Sequence, residues 1–141
     1  DTVPLGGRGR CAQVHDAVRA PVLPSPATRA PHGRLLLYLA TPSVFADGWR
    51  PDLSPWVGAE LVAAALGDPQ VITTATADRT TGAIRGGQLM WAVPAGSVFY
   101  LKFDSQAAAL AAATGLRRST LPQARDALAT AGFGFVLTGS W

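Results

Sequence analysis

The chain has 141 residues, of which 48% are hydrophobic and 15% charged, with 15 Gly and 11 Pro. This is the composition of one globular domain or a large piece of one, neither fibrous nor disordered. Its single cysteine, Cys11, excludes an intrachain disulfide and a cysteine-based zinc site, and fits a reducing, cytoplasmic setting. The net charge of +3 comes from eleven Arg and Lys102 against eight Asp and Glu60, an arginine bias that suits phosphate partners because guanidinium binds phosphate oxygens in pairs. Codon bias is the plain alternative, since Ala and Gly are also abundant.

In chain order, Leu5-Gly6-Gly7-Arg8-Gly9-Arg10 forms a glycine-rich loop, and the alternation of Cys11, Gln13 and His15 against Ala12, Val14 and Asp16 predicts a strand after it. The stretch 20–33 holds Pro21, Pro24, Pro26 and Pro31 with no apolar periodicity, so it reads as a surface loop. Arg34 to Ala40 is a continuous apolar run bounded by Gly33 and Pro42, which predicts a central strand buried on both faces. It is far short of the roughly 20 apolar residues of a membrane-spanning helix. The N-terminal Asp1-Thr2-Val3-Pro4 carries neither an initiator Met nor a signal pattern and reads as an internal cut of a longer protein.

From Thr41 to Pro55, three X-Pro pairs exclude regular helix and leave an ordered loop containing Phe45 and Trp49, with Trp56 just beyond it. Val57 to Leu66 reads as a short apolar helix stopped by Gly67, and Val71 to Thr76 as a β-branched strand. Gln88 to Val93 and Val98 to Phe103 flank Pro94-Ala95-Gly96-Ser97 as a hairpin whose arms place Trp91 and Tyr100 in the core. Ser105 caps an alanine-rich helix over Gln106 to Thr114 that ends at Gly115. A second helix runs from Pro122 to Ala131 with Gly132 at its end, and Phe133 to Thr138 is the last strand.

Catalytic patterns are sparse. His15-Asp16 lacks the further ligands of a two-metal site, because the only other histidine, His32, lies in the Pro-rich loop. The carboxylates are scattered singly, and Ala95-Gly96-Ser97-Val98-Phe99 lacks the nucleophile-elbow pattern. No Walker A sequence is present, and Gly132-Phe133-Gly134 is followed by a strand rather than the helix a dinucleotide fold needs. No metal or cofactor is therefore expected. A metal-independent ribonuclease using His15 as base and Arg10 as phosphate ligand is an alternative.

Binding is better supplied. The loop Gly6-Gly7-Arg8-Gly9-Arg10 lets backbone amides and two guanidiniums approach a phosphodiester, with a plain tight turn as the alternative. Trp49 beside Arg50 suits the stacking of an unpaired base. Arg117-Arg118 reads as a solvated basic surface.

Four segments, namely Leu5 to Arg10, Thr41-Pro42 with Gly48-Trp49-Arg50-Pro51, Val93 to Tyr100, and Gly132-Phe133-Gly134 through Gly139-Ser140-Trp141, together resemble the third Cmr subunit family of type III-B CRISPR effector complexes, within the RAMP superfamily. The resemblance spans nearly the whole chain. It implies an α+β fold, a RAMP-type ferredoxin-like (RRM-like) domain with a mainly antiparallel sheet, short helices and long Gly/Pro-rich loops. In that family this would be a C-terminal half whose N-terminal half is absent. The implied role is non-catalytic RNA binding and scaffolding in antiviral defence, holding the 5′ tag of the CRISPR RNA and joining the large polymerase-like subunit to the backbone subunits. No membrane partner is implied. By this resemblance Gly6, Gly7, Arg8, Gly9, Arg10, Gly132, Gly134 and Gly139 lie against RNA, and Gly48-Trp49 and Pro94 to Ser97 are structural or interface-forming. An acidic residue often stands in the family where this chain has Arg8, which leaves Arg10 the firmer phosphate ligand. A purely protein-binding module, docking a partner through the Trp-rich loop, is the third reading.

Overall fold

The computed structural model describes residues 2–4, 11–13, 23–77, 80–81, 84–85, 87–117 and 119–141. The glycine loop Gly6 to Arg10, with His15 and Arg118, lies outside them. The described strands form one four-stranded sheet and three two-stranded pairs. β1 (Thr2–Pro4) pairs antiparallel with β2 (Cys11–Gln13), where the alternation at Cys11 predicts a strand. After an irregular stretch over 23–30 and a 3-10 turn at Pro31–Gly33, the large sheet begins with β3 (Arg34–Leu39).

β3 pairs with β9 (Val98–Lys102) and β10 (Val136–Gly139), and β4 (Glu60–Ala65) adds to the far side of β9, so the order is β10-β3-β9-β4 with every neighbour antiparallel. β3 and β4 therefore run the same way with β9 between them, an arrangement compatible with the ferredoxin-like split β-α-β unit. In place of that unit's first helix stands the irregular segment 40–59. Between β4 and β9 the chain makes a long excursion: β5 (Gln70–Thr73) pairs with β8 (Leu89–Ala92), and β6 (Thr76–Ala77) pairs with β7 (Ile84–Arg85) farther out.

Helix α1 (Gln106–Leu116) covers one face of the large sheet. The Ser105 hydroxyl accepts the Ala108 amide at 3.1 Å, closing the first turn as its sequence position predicts. Ala109, Ala112, Ala113 and Leu116 recur at helical spacing on the buried side, and their small side chains let the helix lie close on Leu35, Leu37, Leu39, Phe99 and Leu101. Phe45 closes this core with an edge-to-face contact on Phe99 at 5.9 Å. Helix α2 (Asp126–Thr130) is a short turn whose Leu128 packs with Val44 and Ala92 in a second, small cluster.

The structure corrects several expectations. Val57 to Leu66 is not a helix, because Glu60–Ala65 pairs with β9 and the ladder outweighs the helix preference of an Ala- and Leu-rich run; a bulge between Leu61 and Ala63 breaks its register. The strands flanking Pro94 to Ser97 do not pair with each other: β8 belongs with β5, and β9 with β3 and β4. β3 is buried on one face only, since Leu35, Leu37 and Leu39 are inaccessible while Tyr38 is 42% exposed. α1 runs through Gly115 to Leu116, and α2 starts at Asp126 rather than Pro122. Gly132, at φ +87°, does end the second helix, with its amide on the Ala129 carbonyl.

Candidate nucleic-acid interface

Segment 40–59 is hydrogen-bonded to the fold near its start, packs Leu53, Trp56 and Ala59 on the core toward its end, and is open in the middle. Ser43 exchanges both backbone hydrogen bonds with Val93 at 2.9 and 2.8 Å. Gln123 holds the same point: its Oε1 accepts the Val44 amide at 2.9 Å, and its Nε2 donates to Ser43 Oγ and the Leu121 carbonyl at 2.8 Å each. Ser43, Val44, Phe45 and Pro51 are buried, whereas the five residues from Ala46 to Arg50 are all exposed. The loop turns through Gly48 at φ +61°, with the Arg50 amide on the Asp47 carbonyl at 3.1 Å.

This geometry displays Trp49 at 46% exposure with the Arg50 guanidinium 5.6 Å from its ring centre. An indole and a guanidinium held side by side offer a stacking surface and a phosphate donor within one residue. Across from it stands Trp91, 69% exposed on β8 and not in the core as its hairpin position predicts. Trp49 and Trp91, with Phe45, Leu66, Pro69 and Pro94, line an apolar groove of about 390 Å³. Spacing along the chain gives no hint that Trp91 joins Trp49, because the long excursion through β5 and β8 makes the encounter. Nearby, Arg125 hydrogen-bonds the Gln88 side chain. Two residues beyond Arg50, the Ser54 amide donates to Asp52 Oδ1 at 2.9 Å; that bond, assisted by the Ser54 hydroxyl, holds the Asp52 carboxyl below the usual range.

The three C-terminal glycines are not brought together with Trp49. Gly132 is exposed with free space beside it, and its carbonyl accepts the Thr41 hydroxyl at 2.7 Å. Gly134 is buried at φ +78° against Gln123 and the Leu121 carbonyl, donating to Pro42 at 2.9 Å, so its lack of a side chain serves a crossing of three backbone segments. Gly139 lies on β10 opposite Leu36. Arg117 is exposed beside Pro24 and Pro26 of the Pro-rich stretch, which is pinned to β10 by the Ala27 amide on Thr138 Oγ1 at 3.0 Å. A polar cleft of about 710 Å³ at the other end of the sheet gathers His32, Glu60, Lys102 and Asp104. Among the described residues no group of three or more His, Cys, Asp or Glu is placed to hold a metal ion, and no helix is long and apolar enough to cross a membrane.

Fold and site define a class: an α+β domain of antiparallel sheets that presents one indole beside a guanidinium on a braced loop and a second indole on the strand across the groove. A family model described as "CRISPR-associated protein (Cas_Cmr3)" matches residues 1–141. The chain belongs to this Cmr3 family, subunits of the type III-B CRISPR complex. No curated protein and no solved structure matches it.

Proposed function

We propose that this chain is a non-catalytic RNA-binding and scaffolding part of its complex, of RAMP type, which holds the 5′ tag of the CRISPR RNA and bridges the large subunit to the backbone subunits. The observation that carries the reading is Trp49, exposed beneath the Arg50 guanidinium on a loop fixed by the buried anchors Phe45 and Pro51. Rigid presentation lowers the ordering cost of taking up a flexible single strand. The glycine loop Gly6 to Arg10 supplies further phosphate donors in this reading.

The test is fluorescence anisotropy of the protein with a labelled single-stranded RNA carrying the repeat-derived tag, titrated with salt, and a gel of the same samples. About three phosphate contacts give roughly a tenfold to twentyfold loss of affinity between about 50 and 200 mM salt. Trp49→Ala weakens binding on the order of tenfold, and the RNA stays intact. Cut RNA overturns the non-catalytic part and points to His15 and Arg10. The apolar lining of the groove favours a second reading, in which it docks a protein subunit; loss of that subunit by Trp49→Ala with RNA affinity intact selects it.

A further inference from the structure

The face of the large sheet turned away from α1 has no covering element among the described residues. Alternation sends Leu35, Leu37, Leu39, Phe99 and Leu101 to the core and leaves Arg34, Leu36 and Tyr38 of β3, with Val98, Tyr100 and Lys102 of β9, on the other side. These are the two inner strands. Leu36 lies opposite Tyr100 and Tyr38 opposite Val98, so the two tyrosines are diagonal neighbours, about 7–8 Å apart at the backbone.

Trp141 extends this row. Its ring meets Tyr100 edge to face at 5.5 Å, its indole N–H donates to the Leu101 carbonyl at 3.2 Å, and the Arg34 guanidinium lies 4.7 Å from its ring centre. Tyr38 and Trp141 are 42% and 38% exposed, and Trp141 is held in place by the contacts to Tyr100, Leu101 and Arg34. Gly139, opposite Leu36 on β10, adds no side chain and keeps the surface beside them flat.

We infer that this open face is a stacking platform for two or three unpaired bases of RNA, with Arg34 as the cation for the backbone and Tyr38, Tyr100 and the Arg34-covered Trp141 as the stacking groups. The inference rests on the RNA-binding reading and places a second part of the strand within it. A four-stranded antiparallel sheet with aromatic side chains on its two inner strands is the arrangement by which sheet surfaces take up splayed bases, and bases stack on guanidinium planes as they do on rings. Among the described strand residues of this face Glu60 is the one acid, and it lies opposite Lys102 at the end of the ladder, so Arg34 remains the cation nearest the rings. The platform also connects with the Trp49 groove. Pro94 lines that groove, while a side-chain carbon at Gly96, two residues on, would stand 4.0 Å from the Tyr38 hydroxyl. A strand leaving the groove crosses one bare turn and reaches Tyr38.

The test compares Tyr38→Leu, Tyr100→Leu, Tyr38→Phe and Arg34→Gln in anisotropy titrations with a single-stranded RNA of about twelve nucleotides. Each Leu variant keeps an apolar strand residue and is expected to weaken binding on the order of tenfold with the salt dependence unchanged. Tyr38→Phe, which keeps the ring, stays within about twofold of the parent. Arg34→Gln lowers the slope of log affinity against log salt by about one. If both Leu variants bind like the parent while Trp49→Ala is weakened, the platform is wrong and the RNA-binding reading stands. Leu variants that keep RNA affinity but lose a Cmr partner subunit make this face a protein interface and overturn the inference. A parent protein that binds no single-stranded RNA overturns both.

Discussion

Replacing Gln123 tests how the aromatic loop is held in place. Its amide joins three segments, accepting the Val44 amide and donating to Ser43 Oγ and the Leu121 carbonyl, all within 2.9 Å. Ser43 is fully buried and Val44 nearly so, hence Gln123→Ala leaves a buried hydroxyl and a buried amide without these partners. Each such group costs about 1–3 kcal/mol, so a loss of about 3 kcal/mol is expected. For a chain of this length that lowers the melting temperature by about 10 °C. Gln123→Met keeps the volume and removes the hydrogen bonds, separating bonding from packing. Urea unfolding followed by tryptophan fluorescence and circular dichroism reads the change as a lower midpoint at constant slope. A Met variant within about 0.5 kcal/mol of the parent refutes the reasoning, since the amide would then only fill space.

Gly33→Ala is expected to destabilise by about 2 kcal/mol or more, because Gly33 sits at φ +72° and a Cβ there runs into the Phe103 carbonyl; thermal unfolding measures it. Ser105→Ala removes the cap on Ala108 and costs about 1 kcal/mol, whereas Ser105→Asp retains the parent's melting temperature. Carbon-detected NMR titration should find Asp52 ionising below the usual carboxylate range, and Ser54→Ala moves it part of the way back. Since the folded pKa is the lower one, the stabilising contribution of Asp52 is complete above the ordinary carboxylate pKa and disappears as pH falls through the folded value.

Much of the large sheet was legible because its elements carry local signals. The apolar run bounded by Gly33 and Pro42 is β3, and Ser105 marks the start of α1. The misreadings share a cause, in that partners distant in sequence decide them. An alanine-rich run becomes β4 because β9 offers a ladder, and the strands around Pro94 separate because β5 and β3 claim them. The same holds for the site. Trp49 was legible from its turn-rich, proline-bounded loop and adjacent arginine, whereas Trp91 and Tyr100 read as core because local alternation cannot tell which face of a strand will be covered. Gly132, Gly134 and Gly139 look alike in sequence yet end a helix, permit a backbone crossing and flatten a sheet surface.

The bulge in β4 also affects how the domain meets its neighbours. Among the described residues β4 and β10 are the borders of the large sheet, where unpaired amides and carbonyls invite another strand. The slip between Leu61 and Ala63 interrupts the regular row on one border, Glu60 adds a charge there, and on the other β10 offers only four residues before Trp141 turns back over Tyr100. Neither border is a good template for growth, so the sheet behaves as a finished tile. A strand added from another copy would meet an interrupted ladder and a charge on one border and only four paired residues on the other.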